Sequence, residues 1–390
     1  MRISSLAAAT LISSAGAAPL QERNWLEVDA LAAQGVFNLG LYVALHGYPN
    51  PKKCTLANVA VRKEWGSLSS QEKKNYIAAV QCISKKAPKT PAALAPGVKN
   101  RYDDFVAAHM NQTLSIHGTG NFLVWHRYFT WAYEQALRNE CGYTGYQPYF
   151  SWPKWADDPA NSPIFDGSAT SMSGNGEFKA HNATCIPSND LCQISLPPGH
   201  GGGCVKTGPF KDWSVNLGPV APALSDVPSN PGPGFGLGYN PRCLRRDISK
   251  AASQGWTKDS DVSDLIKNND DPYWFITNLQ GNFPAGYLGV HTAGHFIIGG
   301  DPGGDLFTSP GDPAFFLHHA MIDRVYWIWQ NLDIKNRQNS GFEATITINN
   351  SPPSRNATLA DTFDLGINAP TTTIGDTVNT LDGPFCYIYA

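Results

Sequence analysis

Long apolar runs are scarce in this chain. The leader MRISSLAAATLISSAGAAP holds roughly 10 apolar residues, short of the about 20 that a spanning helix needs, and no later stretch reads as long enough. A membrane-spanning class is therefore not expected. Charge excess is missing as well: 29 Lys and Arg stand against 32 Asp and Glu, a net charge of -3, and the basic residues are scattered. Neither nucleic acid nor an anionic membrane surface is an expected partner. No low-complexity linker divides the chain, and a hydrophobic fraction of 42% is enough for a substantial core, so residues 19–390 read as one domain. Histidine is scarce too, with ten in 390 residues.

What is present at the N-terminus is one Arg, a short run of small and apolar residues, and Ala15-Gly16-Ala17, the A-x-A form of a secretory cleavage site. Residues 1–18 thus read as a signal peptide, and the mature protein as secreted and extracellular. Eight cysteines and sequons at Asn111, Asn182, Asn349 and Asn356 agree with that route. A Cys54–Cys82 pair is one expectation among about 105 possible connectivities.

Three of the ten histidines fall between His109 and His126, in HMNQTLSIHGTGNFLVWH, and no acidic residue separates them. Tyr102, Phe105, Val106 and His109 share i, i+3, i+4, i+7 spacing, so a helix would turn His109 inward. A second helix from Phe122 to Arg138 would carry Phe122, His126, Phe129 and Tyr133 on its inner stripe. His117 then falls in a Ser115–Gly120 loop, where two glycines let the backbone turn close to a metal. Downstream, YLGVHTAGHFI places His291 and His295 at i and i+4 on one helix face. A zinc protease would need Glu directly after the first histidine, and Thr292 stands there. The stretch DPAFFLHHAMID follows, with His318 and His319 adjacent.

Ahead of these, Ser69 followed by Glu72 is a capping-box pattern that predicts the start of a scaffold helix with Tyr76, Val80 and Ile83 on one face. Residues 157–241 are dense in Gly, Pro, Ser and Asn and read as an irregular segment stapled by Cys185, Cys192, Cys204 and Cys243. Between the two histidine groups, that segment is expected to cover part of a site rim. His200 reads as part of a disulfide-pinned surface loop, and His46 and His181 as structural or exposed.

The stretch from His109 to Glu134 resembles the first copper signature of the type-3 copper proteins, the family of tyrosinases, catechol oxidases and hemocyanins. Asp312, Pro313, Phe315, His319 and Asp323 resemble its second. The resemblance covers roughly residues 40 to 390, including Tyr387-Ile388-Tyr389, similar to the Y-x-Y mark that closes the family's catalytic domain. It implies a mainly α fold, a four-helix bundle holding a dinuclear copper site, with long irregular loops and a few short strands. It also implies His109, His117 and His126 as ligands of one copper and His291, His295 and His319 as ligands of the other, with dioxygen as co-substrate. His318 is then a packing residue or one that supports a ligand from behind, and Asp323 is placed to orient a ligand imidazole, with a surface ion pair to Arg324 as the alternative.

What the resemblance implies for substrate rests on departures from the family pattern. Members that hydroxylate monophenols often carry Asn directly after the first ligand of the second copper, helped by a Glu-held water. Here that position is Thr292, and only Gln280 or Asn282 remains to hold a water. Leu306 matches the gate position over the site, and Phe296 joins these residues as one expected to face substrate. Ser115 stands where some fungal members have a cysteine joined to the middle histidine. Catechol oxidation with slow monophenol turnover is the expected activity on small phenolic substrates, with full tyrosinase or o-aminophenol oxidase as alternatives and a hemocyanin-like oxygen carrier as a remote one. No C-terminal shielding domain follows, so an enzyme active without proteolysis is expected.

Overall fold

The computed structural model describes residues 26–188 and 190–390. The signal peptide read at residues 1–18 lies outside them. The axis of the fold is a helix with no exposed side. From Phe315 to Leu332 every residue but the last is buried, the pattern of a helix surrounded by other elements rather than one lying on a surface.

Nine helices carry the argument: α1 (Glu27–His46), α2 (Ser70–Ile83), α3 (Arg101–Ile116), α4 (Phe122–Cys141), α5 (Lys250–Trp256), α6 (Asp259–Lys267), α7 (Pro272–Gln280), α8 (Gly289–Ile298) and the central α9 (Phe315–Leu332). Helices α1, α4, α6 and α8 pack on α9, and α3 packs on α4. Helices α3, α4, α8 and α9 are the four that bear the clustered histidines, so the expected mainly helical bundle is observed. The capping box at Ser69 and Glu72 starts α2. Asn100 caps α3, with Asp103 and Asp104 in its first turn facing the positive end of the dipole. Gly142, left-handed at φ 69°, ends α4. Helix α3 runs on to Ile116, so Ser115 lies in its last turn and the expected loop starts only at His117.

The strands are short and paired in twos. One pair joins the chain's distant parts: Ala60–Arg62 runs parallel to Tyr387–Tyr389. That pairing brings Cys54 to Cys386, while Cys82 bonds Cys141. The expected Cys54–Cys82 bridge is therefore not formed, because only the tertiary return of the last strand decides Cys54's partner. The middle segment is stapled as expected, by Cys185–Cys192 and Cys204–Cys243. Replacing Cys54 and Cys386 together by serine opens a link spanning 332 residues, and loss of a native disulfide typically costs about 2–5 kcal/mol. Equilibrium denaturation should show a loss of that order.

Helix α1 corrects the reading of apolar runs. By length and composition it could cross a membrane, because its 20 residues carry acidic side chains only in the first turn. In the fold Val28, Ala32, Gly35, Leu39 and Val43 form one stripe buried against the bundle. Its other face leaves Phe37, Leu41 and Leu45 exposed.

Candidate metal centre

Two groups of buried histidines come together at the heart of the bundle. His109 from α3, His117 just beyond its end and His126 from α4 form the first; His291 and His295 from α8 with His318 and His319 from α9 form the second. Within each group the candidate donor nitrogens lie within 4.8 Å of one another. The groups also touch: the His126 and His319 rings stack at 4.5 Å, and His117 and His291 lie 5.9 Å apart.

The first group is oriented by the backbone. His109 Nδ1 donates to the Phe307 carbonyl at 2.9 Å, His117 Nδ1 to Thr113 at 2.9 Å and His126 Nδ1 to Phe122 at 2.8 Å. Each bond fixes the tautomer and leaves Nε2 as a lone-pair donor. All three Nε2 atoms are buried without a partner in the protein, an arrangement that costs free energy unless a cation takes the lone pairs. In the second group His295 Nε2 lies 3.1 Å from His291 Nε2 and 3.2 Å from His319 Nε2. One shared proton can satisfy only one of those contacts; a metal ion among the three nitrogens satisfies both. The residues present thus fit a metal in each group, and neutral imidazoles suit copper.

Electrostatics agree with neutral ligands. Burial, followed by the mutual repulsion of the rings, holds His109, His126, His291 and His319 well below the ordinary imidazole range. Burial also lowers His117 to about 4 and His295 to about 3. The sign of the pH effect follows. An unfolded histidine takes up a proton below about pH 6.5, whereas the folded one refuses it, so folding stability falls as pH drops through that value. The metal-free protein should lose stability steadily between about pH 6.5 and pH 4, measurable as a falling denaturation midpoint, and bound metal should raise the midpoint at each pH.

Two glycines shape the centre. Gly118, at φ 61°, turns the chain immediately after His117, in a backbone region that side chains avoid. Gly294 sits inside α8 because a Cβ there would come within 2.2 Å of the His318 ring. His318 itself packs on Trp152 at 5.3 Å and His295 at 4.5 Å, and neither of its nitrogens has a partner. One of its nitrogens lies within 4.8 Å of the other three donors, farther than the 3.1 and 3.2 Å at which His295 Nε2 meets those of His291 and His319.

The only residues of α8 that are not fully buried are Thr292, His295 and Phe296, at i, i+3 and i+4 on one face. Leu306 is 41% exposed, and Phe307 beside it stacks at 6.4 Å on the exposed Phe235 of the middle segment. That contact sets the middle segment against the residue next to Leu306. A residue that sequence reasoning missed ties rim to metal centre: the buried Asp305 carboxylate accepts from the amides of Val220, Ala221, Phe307 and Thr308 at 2.7 to 3.2 Å. Burial raises its carboxyl above the ordinary range despite those donors. Through Phe307 the same turn orients His109.

Three expectations change here. The Gln280 side chain is tied to the backbone, its Oε1 accepting from Gly118 N at 2.8 Å and its Nε2 donating to the Ile276 carbonyl at 3.4 Å. Thr292 donates its hydroxyl to the Gln280 carbonyl at 2.7 Å, whereas Asn282 is exposed at the turn after α7. Asp323 touches no histidine. Its carboxylate accepts from Arg127 at 2.6 Å, Arg62 at 3.2 Å and the hydroxyls of Tyr387 and Tyr389 at 2.6 Å each. Two buried guanidiniums demand a buried countercharge, and that demand takes the carboxylate away from the imidazoles.

Comparison with known proteins is consistent throughout. Residues 99–332 match the family model described as the common central domain of tyrosinase. Tyrosinase P of Aspergillus terreus is 41% identical over 334 residues, covering 84% of this chain and 91% of the relative. The N-acetyl-6-hydroxytryptophan oxidase of Emericella nidulans is 36% identical over 354 residues, covering 88% and 95%. A solved polyphenol oxidase from Thermothelomyces thermophila matches with a TM-score of 0.86 at 44% identity, covering 93% of this chain and 98% of that one.

Proposed function

The chain belongs to the tyrosinase family of copper oxidases acting on phenols, and from that premise we propose that it is a secreted catechol oxidase. Its cofactor is a pair of copper ions, and its co-substrate is dioxygen. In this reading His109, His117 and His126 hold one copper, and His291, His295 and His319 hold the other. The observation that carries it is the convergence of buried, partnerless Nε2 atoms in the first group and of three crowded Nε2 atoms in the second. Bound copper supplies the electron exchange between dioxygen and the diphenol. Over the full cycle two o-diphenols lose four electrons and four protons, giving two o-quinones, and one dioxygen becomes two waters.

The protein's part is placement and exclusion. The half-buried His295 and Phe296 leave one edge of the centre open to a flat aromatic ring, while Leu306 and Phe307 line the approach with apolar surface. A monophenol must first give up its phenolic proton and gain an oxygen, and a positioned base assists that step. At this rim Thr292 is hydrogen-bonded to a carbonyl, Gln280 to an amide, and Asn282 carries no acid. Catechols should therefore be the faster substrates. Oxygen uptake by the copper-loaded protein, run with catechol, o-aminophenol and tyramine, tests this. The expected rate with tyramine is about 100-fold below that with catechol, the low end of what general acid–base catalysis contributes. Comparable tyramine turnover would mean that another group takes the proton.

The secreted reading is supported by the leader at residues 1–18 and by the pairing of all eight cysteines, which suits an oxidising compartment. Residues 19–390 then form the single catalytic domain.

A further inference from the structure

A cavity of about 320 Å³ lies beside the turn that follows His117. Its wall includes Gly118, the residue after His117, and Gln280, whose carbonyl holds the hydroxyl of Thr292, the residue after His291. Thr292, His295 and Phe296 form the one half-buried strip of α8. Along it Thr292, bonded to the cavity wall through the Gln280 carbonyl, stands about one helical turn from the half-buried His295 and Phe296. A substrate whose ring rests at His295 and Phe296 can therefore extend an arm into this space.

The lining states the chemistry of that arm. None of the residues around the cavity carries a charge, so nothing there pairs with a carboxylate, a phosphate or an ammonium group. Neutral polar groups are abundant. The hydroxyls of Tyr273 and Thr277 and the carboxamide of Asn349 make no side-chain hydrogen bond among the described residues, and Asn350 uses only its oxygen, accepting from Ser354 N at 2.9 Å. Asn349 is held over Gly118, its backbone amide donating to the Gly118 carbonyl at 3.0 Å. Tyr273 is 45% exposed and offers a ring face at the rim. The volume is at the low end of the about 300–1,000 Å³ of small-molecule sites, enough for one ring-sized group.

We propose that this cavity is a subsite for a neutral, polyhydroxylated arm of the phenolic substrate, a hexosyl group joined to the catechol ring by a short tether. The proposal rests on the catechol oxidase reading and extends it to a substrate class.

The test compares three catechols with the same two-carbon tether, ending in a glucosyl group, a carboxylate or an ammonium. In the copper-loaded enzyme the glucoside should have a KM about tenfold below those of both charged compounds, the effect of one or two net hydrogen bonds. In the double variant Thr277→Val, Asn350→Ala that ratio should fall to about one. A second readout is independent of catalysis: calorimetry of the metal-free protein with 2-phenylethyl glucoside should show binding in the wild type and none in the double variant. If catechol is not oxidised at all, the catechol oxidase reading fails while calorimetry still judges the cavity. Equal KM values with no heat of binding, a preference for either charged arm, or a glycan on Asn349 filling the cavity would each overturn the subsite.

Discussion

His126→Ala is expected to abolish catechol-dependent oxygen uptake, with a fall of at least about 10³-fold, while the protein stays folded. His126 sits where the two groups meet, its ring stacked at 4.5 Å on His319, and its Nε2 points into the first group without a protein partner. Its removal takes one of three proposed donors from one metal and leaves the second group whole. Copper analysis should fall from two per chain toward one. Loss of a buried polar ring normally creates a cavity, but this ring also relieves an unsatisfied atom when it leaves, so the metal-free variant should unfold close to the metal-free wild type. Full activity in the variant would remove His126 from the ligand set. His318→Ala is the contrasting case: its ring lies within 4.8 Å of the second group's donors, but His295 Nε2 meets those of His291 and His319 at 3.1 and 3.2 Å without it, so the variant should keep both coppers and lose stability instead.

The second large effect is expected at Asp323. Burial pushes its carboxyl up, but Arg127, Arg62 and the hydroxyls of Tyr387 and Tyr389 outweigh burial and hold it below the ordinary range. Asp323→Asn leaves Arg127 with no carboxylate and Arg62 with only Glu134. Breaking a buried ion pair from one side costs about 3–5 kcal/mol, and denaturant titration at pH 7 should register a loss of that size. The pH dependence has a definite sign. A depressed folded pKa contributes stability above the unfolded value of about 3.9 and loses it as pH falls through the lower folded value. Wild type and variant should therefore differ at neutral pH and converge in strong acid. Because this network clasps the last strand to Arg62 rather than orienting a metal ligand, copper stoichiometry of the folded variant should stay at two.

These residues also show what could be read from the chain in advance. Helices α3 and α4 were legible because apolar periodicity and histidine spacing coincide, α8 from the i, i+4 histidines, and Ser69 marks the start of α2 by local chemistry, whereas the Asn100 cap of α3 was not read. The clustering of the histidines was legible because they stand in three short stretches, 109–126, 291–295 and 318–319. What sequence could not supply was partnership across long separations. Cys54 finds Cys386 and Asp323 finds Tyr387 and Tyr389 because the final strand returns beside Ala60–Arg62, and no local pattern encodes that return. Gln280 looked free because its partner is a backbone amide 162 residues away. Asp305 carried no motif at all, and its role appears only once the loops it joins lie side by side. Gly294 did carry a signal, a glycine inside a helix, where its place implies close packing.

The measurement that tests the central claim most directly is metal analysis combined with electron paramagnetic resonance on protein produced with copper. Two Cu(II) ions within the about 3.5–4 Å of a two-metal site couple their spins, so the expected result is two coppers per chain with almost no resonance signal. One copper per chain with its full signal, or zinc in preference to copper, would contradict the account.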